Sequence, residues 1–532
     1  MKTKISIIVL SLLLIIGFTS CNDWLDLRPE SEIILDEFWK SESDVDAVLA
    51  ACYRGLTEDA VVYRMIVWGE LRSDNIVEGS GFPNERKDIG KILDGELLST
   101  NGYSSWASYY TVINYCNTLL YYAPFVVDRD ENFTKDDLNK VRAEALTIRA
   151  LCYFYLVRTF KEVPLITDAS VDDTQDYAQP KATERQLLDT IQANLLEAKK
   201  YARKDYGRTD YNKQRVTLNT VNALLADVYL WDQKYNECVS ACNEVLADQK
   251  LKLQNAELAF TRVFYLGTST ESIFEIPQFQ NESLSDRPIY NLYGGAGDMI
   301  GELGFPTTLA HNTLEAIGDG LGAYSPFYYK IGTNLYESED DIRAKDSYMA
   351  VGGRYSIFKY AGVSRTEALV SSAKVYSYRY RSDISNWIIY RLSDIMLMKA
   401  EALVQMDGQA NFKSALEMVN TTYLRSNEEA DSLKIANYPT KGAMESLVLR
   451  ERHRELLFEG KRWFDLVRLA RREKSTSTLN DFVGHKATGT STMVGAPVLD
   501  AMYMPILERE LEANPQLKQN PYYEEANSSS TR

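Results

Sequence analysis

The amino-acid sequence predicts a mainly α-helical protein, with about four helix pairs as a scaffold and a loop-rich, partly β remainder. Helical periodicity dominates two blocks of the 532-residue chain, at about 44–246 and 387–472. Between these blocks, residues 290–353 hold 11 of the 28 glycines and seven tyrosines but no sustained helical stripe. A chain of this length is large for one compact core and suits either several domains or a repeat array.

The first helical block contains a long helix followed by a helix-turn-helix unit. Residues 142–160 place Leu146 and Tyr153 among apolar and small side chains that recur on one helical face. The small residues on that face let a neighbouring helix approach closely. Residues 219–246 then indicate two helices around a turn at 232–235.

The second helical block repeats the same shape. Residues 390–424 predict a helix, a turn that contains Asp-Gly, and a second helix. Ala241 and Ala415 stand where the second helix of each unit must pack closely on the first. Both units resemble degenerate tetratricopeptide repeats, so we expect the pairs to stack and to bury each other's apolar faces.

The segment between the helical blocks, at about 260–386, is the expected ligand-loop region. Short β-like pieces at 271–279 and 354–363 border its glycine- and tyrosine-rich centre. Long irregular segments of compact proteins are often functional, and this aromatic content is typical of ordered chain. At the far end, the polar residues 524–532 predict a flexible tail.

The N-terminal segment resembles a secretion signal. Lys2 and Lys4 precede an apolar run of fourteen residues at 5–18, which is short for a membrane span and typical of a signal peptide. Small residues then lead to Cys21, as at a bacterial lipoprotein cleavage site. We therefore expect removal of residues 1–20 and attachment of acyl chains such as palmitate to Cys21. An ordinary signal peptide with a bystander cysteine is the alternative.

Composition argues against several functions. The net charge of −16 repels phosphate backbones, so nucleic-acid binding is not expected. Three histidines lie far apart without metal-binding spacing, and there is no phosphate-binding loop motif, so neither a metal nor a cofactor is predicted. The other cysteines are expected to be small buried hydrophobes rather than disulfides: Cys52, Cys116, Cys152, Cys238 and Cys242.

The densest run of charge lies at residues 451–472. On one continuous helix, an apolar stripe would include His453, with opposite charges three residues apart beside it. A catalytic interpretation would make His453, Glu455 and Glu459 an acid–base set. We favour a structural ladder with a packed histidine, because charge networks also shift pKa values without catalysis. Gly460 is costly inside a helix and indicates either a helix break or a backbone pressed against a neighbour.

Residues 451–472, followed by 502–523, resemble the C-terminal signature of the SusD/RagB family. The segments 36–56, 142–166 and 390–403 are similar to three further markers of that family, in the expected order. The residues that match near the C-terminus are Pro505, Ile506, Glu508, Asn514, Pro515, Leu517, Gln519, Asn520, Pro521 and Tyr522.

The resemblance spans residues 21–523, which we treat as one domain. Lys161 and Ser393 depart from the pattern, since the family more often has glycine and alanine there. Asp341 and Arg343 also resemble a short Asp-x-Arg element of the family.

The resemblance implies both a fold and a role. SusD/RagB proteins are surface lipoproteins of the outer membrane, built on four tetratricopeptide-like helix pairs with a loop-rich remainder. They bind nutrients, most often oligosaccharides and in some members others such as peptides, and they act as a lid over a SusC-like TonB-dependent transporter. Because the family binds rather than catalyses, we expect a non-enzyme that is lipid-anchored and exposed at the cell surface.

Sugars present apolar C–H faces and polar edges, so a binding site needs flat aromatic rings beside hydrogen-bonding side chains. Tyr outnumbers Phe 35 to 18, which favours amphipathic, partly exposed rings. The predicted surface combines the loop at 68–87 with central tyrosines, while Trp39 and Trp463 are assigned to the core. Its candidate residues are Trp68, Asp74, Asn75, Arg86, Trp106, Tyr290, Tyr293 and Tyr328.

Two rival functions stay open at this level. A glycoside hydrolase needs only two carboxylates at a fixed separation, and 75 acidic residues leave room for such a pair. A scaffold or adhesion protein would bind no small ligand. Hydrolysis products, an intact bound glycan, or neither would distinguish hydrolase, binder and scaffold.

Overall fold

The computed structural model describes most of the chain. The described residues are 38–78, 87–170, 175–278, 287–293, 303–304, 328–330, 333–336, 341–351, 354–357, 359–360, 363–370, 373–380, 385–484 and 495–524. The predicted signal peptide, Cys21 and Arg86 lie outside these residues, as does the predicted tail beyond Glu524.

The chain is mainly α-helical, as predicted. The α-helices are α1 Glu42–Thr57, α2 Asp59–Ile66, α3 Lys87–Leu93, α4 Ala107–Val126, α5 Lys135–Phe160, α6 Glu184–Tyr201, α7 Thr209–Gln214, α8 Leu218–Trp231, α9 Tyr235–Leu246, α10 Ala256–Ala259, α11 Pro288–Tyr293, α12 Ile342–Ser347, α13 Leu392–Gln405, α14 Gln409–Ser426, α15 Lys441–Glu455, α16 Arg462–Glu473, α17 Ser477–Val483 and α18 Glu508–Ala513. Short 3₁₀ turns lie at Gly102–Ser104, Ile435–Asn437 and Leu499–Met502, and π-helical turns lie at Val67–Leu71 and Phe260–Tyr265.

Four helix pairs form the scaffold: α1 with α4, α5 with α6, α8 with α9, and α13 with α14. Each pair packs on the next, through α4 on α5, α6 on α8, and α9 on α13. Helix α15 then packs on both α13 and α14. This serial stacking of helix pairs is the arrangement that the repeated helix-turn-helix pattern predicts.

The two predicted helix-turn-helix units are confirmed. Gln233 takes a positive φ of 58° in the turn between α8 and α9. Asp407 and Gly408 take φ values of 61° and 93° between α13 and α14. Left-handed backbone lets the chain reverse within a few residues, and glycine adopts it without steric cost. The Asp-Gly pair in the sequence is the local cause of the second reversal.

Helix α5 is the centre of the first helical block. A capping box begins it, because the Thr134 hydroxyl accepts a hydrogen bond from the Asp137 amide and the Asp137 carboxylate accepts one from Thr134. Side chains are buried throughout 143–160, since α4 and α6 cover α5 from two sides. The five cysteines predicted to be buried and free of disulfides are all confirmed as such.

The strands are short and pair antiparallel. The pairs are β1 Val77–Glu78 with β5 Leu303–Gly304, β2 Val163–Pro164 with β3 Lys181–Ala182, β4 Ser272–Ile276 with β12 Trp387–Arg391, β6 Tyr328–Lys330 with β7 Thr333–Asn334, β8 Tyr348–Val351 with β9 Arg354–Ile357, and β10 Val363–Val370 with β11 Ala373–Tyr380. The β4–β12 pair is completely buried and lies beside the helical scaffold. Strands β4 and β9 occupy the two segments predicted to be β-like.

One large apolar core runs through the helix pairs and the β4–β12 pair. It contains Trp39 and Trp463, both assigned to the core from sequence. A smaller core, which includes Leu397, Phe412 and Met444, fills the space among α13, α14 and α15. The described part of the chain has no helix that is long and apolar enough to cross a membrane.

Candidate ligand-binding surface

The charged signature segment folds as two helices joined by a sharp turn, not as the one continuous helix that its stripe suggested. Helix α15 ends at Glu455 and α16 begins at Arg462. Between them, Phe458 and Gly460 take positive φ values of 65° and 70°. A Cβ on Gly460 would lie 2.9 Å from the Trp387 ring, so the turn requires glycine for both its φ and its space.

The turn is held against the π-helical segment Val67–Leu71. The Glu70 carboxylate accepts hydrogen bonds from the Gly460 amide at 2.8 Å and from Asn75 Nδ2 at 3.1 Å. A Cβ on Gly69 would lie only 2.2 Å from the Gly460 carbonyl oxygen, so the two backbones are in direct contact. Burial raises the pKa of Glu70 to about 7. Both expectations for Gly460, a helix break and close backbone contact, are therefore confirmed.

Asp74 and Asn75, predicted to bond ligand hydroxyls, are buried partners of the signature helices instead. Asp74 accepts two hydrogen bonds from Arg462, from Nε at 2.7 Å and from Nη2 at 2.8 Å. The side-chain oxygen of Asn75 lies 2.5 Å from His453 Nε2. Both polar side chains thus satisfy protein groups in α15 and α16, which gives them a structural role in place of the predicted ligand contact.

His453 is a packed histidine, as favoured from sequence. Its side chain is buried, and burial, followed by the charge of Arg462, lowers its pKa to about 3. The imidazole is therefore neutral at neutral pH. Burial alone would raise the pKa of Asp74, but the charge of Arg462 holds it well below its usual range. The ion pair of Asp74 with Arg462 therefore persists into acid.

Glu455 and Glu459, the other members of the catalytic alternative, neutralise buried cations. Glu455 forms ion pairs with Arg391 at 2.7 Å, Arg343 at 3.1 Å and Arg425 at 2.5 Å. Glu459 also pairs with Arg391, at 2.7 Å. Burial raises the pKa of Glu455, but the three arginines hold it well below its usual range. This network links α12, β12 and α14 to the end of α15 and to the turn between α15 and α16, which we call the signature turn. Arg343 of the Asp-x-Arg element belongs to the network, so that element has a structural role.

Three aromatic rings predicted to contact ligand lie in the core. Trp68 donates from Nε1 to the Tyr103 carbonyl at 2.9 Å, with 2% of its surface exposed. Trp106 packs edge-on against Phe160 and is 4% exposed. Tyr293 is fully buried in the core. These three rings stabilise the fold, because helix packing leaves them no open face for a ligand.

The other two predicted central tyrosines differ in what the structure describes of them. Tyr290 is half-buried on α11. Tyr328 lies in strand β6, and its side chain is outside the described set, as is Arg86. Of the eight candidate residues, Tyr290 is therefore the one whose described side chain is partly open.

Helix α11 packs against α2 and brings further aromatic and polar groups to this place. Asn291 donates from Nδ2 to the Tyr63 hydroxyl at 2.7 Å. The Arg64 guanidinium lies 5.8 Å from the centre of the Tyr103 ring. These side chains are half-buried. We call this set, Tyr63, Arg64, Tyr103, Tyr290 and Asn291, the tyrosine–arginine surface.

The tyrosine–arginine surface is preorganised by backbone contacts. Arg64 donates from Nε to the Ser105 carbonyl at 2.7 Å and from Nη2 to the Gly102 carbonyl at 2.9 Å. These bonds fix the guanidinium before any ligand arrives, which lowers the entropic cost of binding. Sequence reasoning missed Tyr63, Arg64 and Tyr103. Tyr103 stands three residues before the candidate Trp106, and that closeness in sequence was the available signal for it.

Within the described ranges, no set of three or more His, Cys, Asp or Glu side chains is arranged to hold a metal ion. The chemistry that the surface offers is ring stacking and hydrogen bonding.

Comparison with known proteins agrees with this architecture. A SusD family model matches residues 308–523, and a model described as starch-binding and associating with the outer membrane matches 23–230. Together these two models cover the turn after α15, the C-terminal segment, and all of the helix pairs except the last residue of α8 and helix α9. The chain belongs to the SusD/RagB family.

Similar proteins match most of the chain's length. A SusD-like protein P38 of Formosa agariphila is 26% identical, over 98% of this chain and 99% of its own. A SusD-like protein of Bacteroides ovatus is 24% identical, over 88% of this chain and 82% of its own. The solved structure of a SusD homolog from Bacteroides thetaiotaomicron has a TM-score of 0.68 at 20% identity, over 92% of this chain and 99% of its own. That structural likeness supports the fold.

Proposed function

We propose that this protein binds an oligosaccharide at the cell surface and passes it, as a lid, to a SusC-like TonB-dependent transporter. In this proposal the protein is anchored in the outer membrane by lipid on Cys21 and performs no catalysis. Membership of the SusD/RagB family supports the class of function. The family description of the N-terminal half as starch-binding and outer-membrane-associated supports the ligand class and the location.

The observation that carries the proposal is the tyrosine–arginine surface. Tyr63, Tyr103 and Tyr290 are partly open, so each can offer ring surface to an apolar sugar face while its hydroxyl stays at the polar edge. Arg64 and Asn291 supply fixed donors beside them. A few well-placed polar groups next to apolar rings are what orient a small ligand.

A peptide is the alternative nutrient, and a surface glycoside hydrolase is the alternative activity. The carboxylates first considered for acid–base chemistry are held in buried ion pairs with arginines, which favours binding over hydrolysis. A peptide would contact the same donors and rings, so a binding measurement is needed to distinguish the two nutrient classes.

The first experiment is a thermal-shift screen of the purified protein with oligosaccharides and with short peptides. An oligosaccharide that raises the melting temperature supports the proposal, because a ligand that binds only the folded state stabilises it. Stabilisation by peptides alone supports the alternative nutrient. Stabilisation by neither class, together with a co-purified membrane partner, would support a scaffold role.

The second experiment locates the site. Tyr290→Ala should weaken binding of the stabilising oligosaccharide about five- to tenfold, the effect of losing one stacked ring. Tyr115→Ala is a matched control, because Tyr115 is an exposed tyrosine on α4 outside the tyrosine–arginine surface. Equal affinity of the Tyr290→Ala variant and the control would remove Tyr290 from the site.

The third experiment tests the anchor and the partner. Cys21→Ala should abolish incorporation of labelled palmitate and release the protein from outer membranes. Affinity purification of the wild-type protein from detergent-solubilised membranes should recover a TonB-dependent transporter. A Cys21→Ala protein that stays membrane-bound and labelled would contradict the lipid anchor.

A further inference from the structure

A groove runs beside helix α1. Its volume is about 690 Å³, within the range of roughly 300–1,000 Å³ that is usual for ligand sites. It is lined by Asp46, Ala47, Leu49, Ala50, Ala51, Tyr53, Arg54, Leu56, Thr57, Tyr211, Gln214, Arg215, Ile276 and Pro277. We call it the α1 groove. No residue belongs both to this groove and to the tyrosine–arginine surface.

The floor of the α1 groove is apolar. Leu49 and Leu56 of α1 and Ile276 of β4 are buried there. The three alanines of α1 that line it have short side chains, which leave the space that forms the groove. Such a floor accommodates the C–H face of a ligand but offers it no hydrogen bonds.

One wall of the groove is held rigidly by a buried carboxylate. Arg215 donates to Glu144 from Nε at 3.1 Å and from Nη2 at 2.8 Å. The Tyr53 hydroxyl donates to the same carboxylate at 2.5 Å. The Arg215 guanidinium lies 4.6 Å from the centre of the Tyr206 ring. The positions of Tyr53 and Arg215 are thus set before any ligand arrives.

Some polar groups on the rim have no hydrogen-bond partner among the described residues. These groups are the Asp46 carboxylate and the Gln214 amide. Tyr211 stands beside Gln214 with 39% of its surface exposed. Gln278, the residue after the lining residue Pro277, is buried with both amide atoms unpartnered in the described part of the chain. A hydroxylated ligand or a water molecule would satisfy such an unpaired amide.

We propose that the α1 groove is a second saccharide-binding site, which takes a short neutral oligosaccharide. An apolar floor, tyrosine rings and a rim with both donors and acceptors match the C–H faces and hydroxyls of sugars. A preference for neutral sugars follows from the charges: Arg215 is neutralised by Glu144 and Arg54 pairs with Glu58, so the lining residues leave an acidic sugar no unpaired cation. The proposal rests on the proposed function for the ligand class.

An extended peptide fits this groove less well. A peptide commonly binds by adding a strand to an open sheet edge. Strand β4 pairs with β12 on one side, and α7 covers it on the other. Lys213 of that segment donates to the Ser272 carbonyl of β4 at 2.5 Å. The edge that a peptide would need is therefore occupied by the chain itself.

A second saccharide site would give this protein bivalent contact with one polysaccharide. Once a polysaccharide binds at one site, its effective concentration at the other site rises. The avidity for the whole polysaccharide then exceeds the affinity of either site alone. Long polysaccharides should therefore bind more strongly than short oligosaccharides.

The test uses the full-length mature protein and three variants. The groove variant is Tyr211→Ala with Gln214→Ala, and the surface variant is Tyr290→Ala. Tyr201→Ala is the matched control, because Tyr201 is also 39% exposed and lies outside both sites. Unchanged melting temperatures of the variants establish that each is folded. The probes are a microarray of neutral oligosaccharides, followed by calorimetric titration with the glycan that the wild-type protein retains.

The expected result is two binding events per protein molecule. The groove variant should lose one of them or bind about tenfold more weakly at that site, whereas Tyr201→Ala should match the wild type. Wild-type stoichiometry and affinity in the groove variant would overturn the groove proposal while leaving the proposed function intact, provided that Tyr290→Ala weakens binding. Loss of all binding in the groove variant, with Tyr290→Ala unaffected, would support the groove and overturn the tyrosine–arginine surface. A wild-type protein that retains no neutral glycan would overturn the groove proposal.

Discussion

Removing the Asp74 carboxylate should destabilise the protein strongly, because it leaves the Arg462 cation buried. The two side chains are 3% and 2% exposed, and they share two charge-assisted hydrogen bonds of 2.7 and 2.8 Å. Breaking a buried pair by deleting one partner costs about 3–5 kcal/mol. We therefore expect Asp74→Ala to lower the free energy of unfolding by about that amount. The double variant Asp74→Ala with Arg462→Met should recover part of the loss, since no unpaired charge remains.

Urea unfolding followed by tryptophan fluorescence measures this effect. Asp210→Ala is the control, because Asp210 pairs with Arg208 at the exposed surface, where an ion pair adds little to stability. The reasoning fails if Asp74→Ala unfolds at the same urea concentration as the control. If that variant also lost its oligosaccharide binding, Asp74 would be a ligand contact, as its sequence context first suggested.

Three other predictions concern the signature turn and the buried thiols. The pKa of Glu70 is raised from 4.5 to about 7 in the folded protein, so the unfolded state releases this proton first as pH rises. The free energy of unfolding of the wild type should therefore fall between pH 4.5 and pH 7. Plotted against pH, the stabilities of Glu70→Gln and the wild type should coincide below pH 4.5 and diverge in favour of the variant by pH 7, and parallel curves would contradict the buried carboxylic acid. Gly69→Ala should cost about 1–3 kcal/mol or more, because its Cβ would meet the Gly460 carbonyl oxygen at 2.2 Å; Gly442→Ala, whose Cβ meets nothing, is the control for the same unfolding measurement. The five described cysteines should resist alkylation in the native protein and react in urea, since all are buried; mass spectrometry that finds rapid native labelling would place a thiol at the surface.

The helix pairs could be predicted because their causes are local. The spacing of apolar residues in α5, and the Asp-Gly turn between α13 and α14, act within a few residues of chain. The break between α15 and α16 could be predicted only in part. Gly460 indicated a break or a close contact, but the carboxylate that holds the turn belongs to Glu70, 390 residues away in sequence.

The candidate site was harder to predict because exposure is a tertiary property. Trp68 and Trp106 are residues of the type that stacks on sugars, yet helix packing buries both rings. Asp74 looked like a free polar group because its partner Arg462 lies 388 residues further along the chain. Tyr63 and Arg64 lie on a helix with apolar neighbours, and only the packing of α11 on α2 shows that they share a surface with Tyr290.

The most direct test of the central claim is calorimetric titration of the wild-type protein with the oligosaccharide selected in the binding screen, followed by mass analysis of the recovered sugar. The claim that this SusD/RagB protein captures a glycan without altering it predicts saturable binding and a sugar of unchanged mass. No saturable binding of any screened oligosaccharide, or recovery of shortened products, would contradict it.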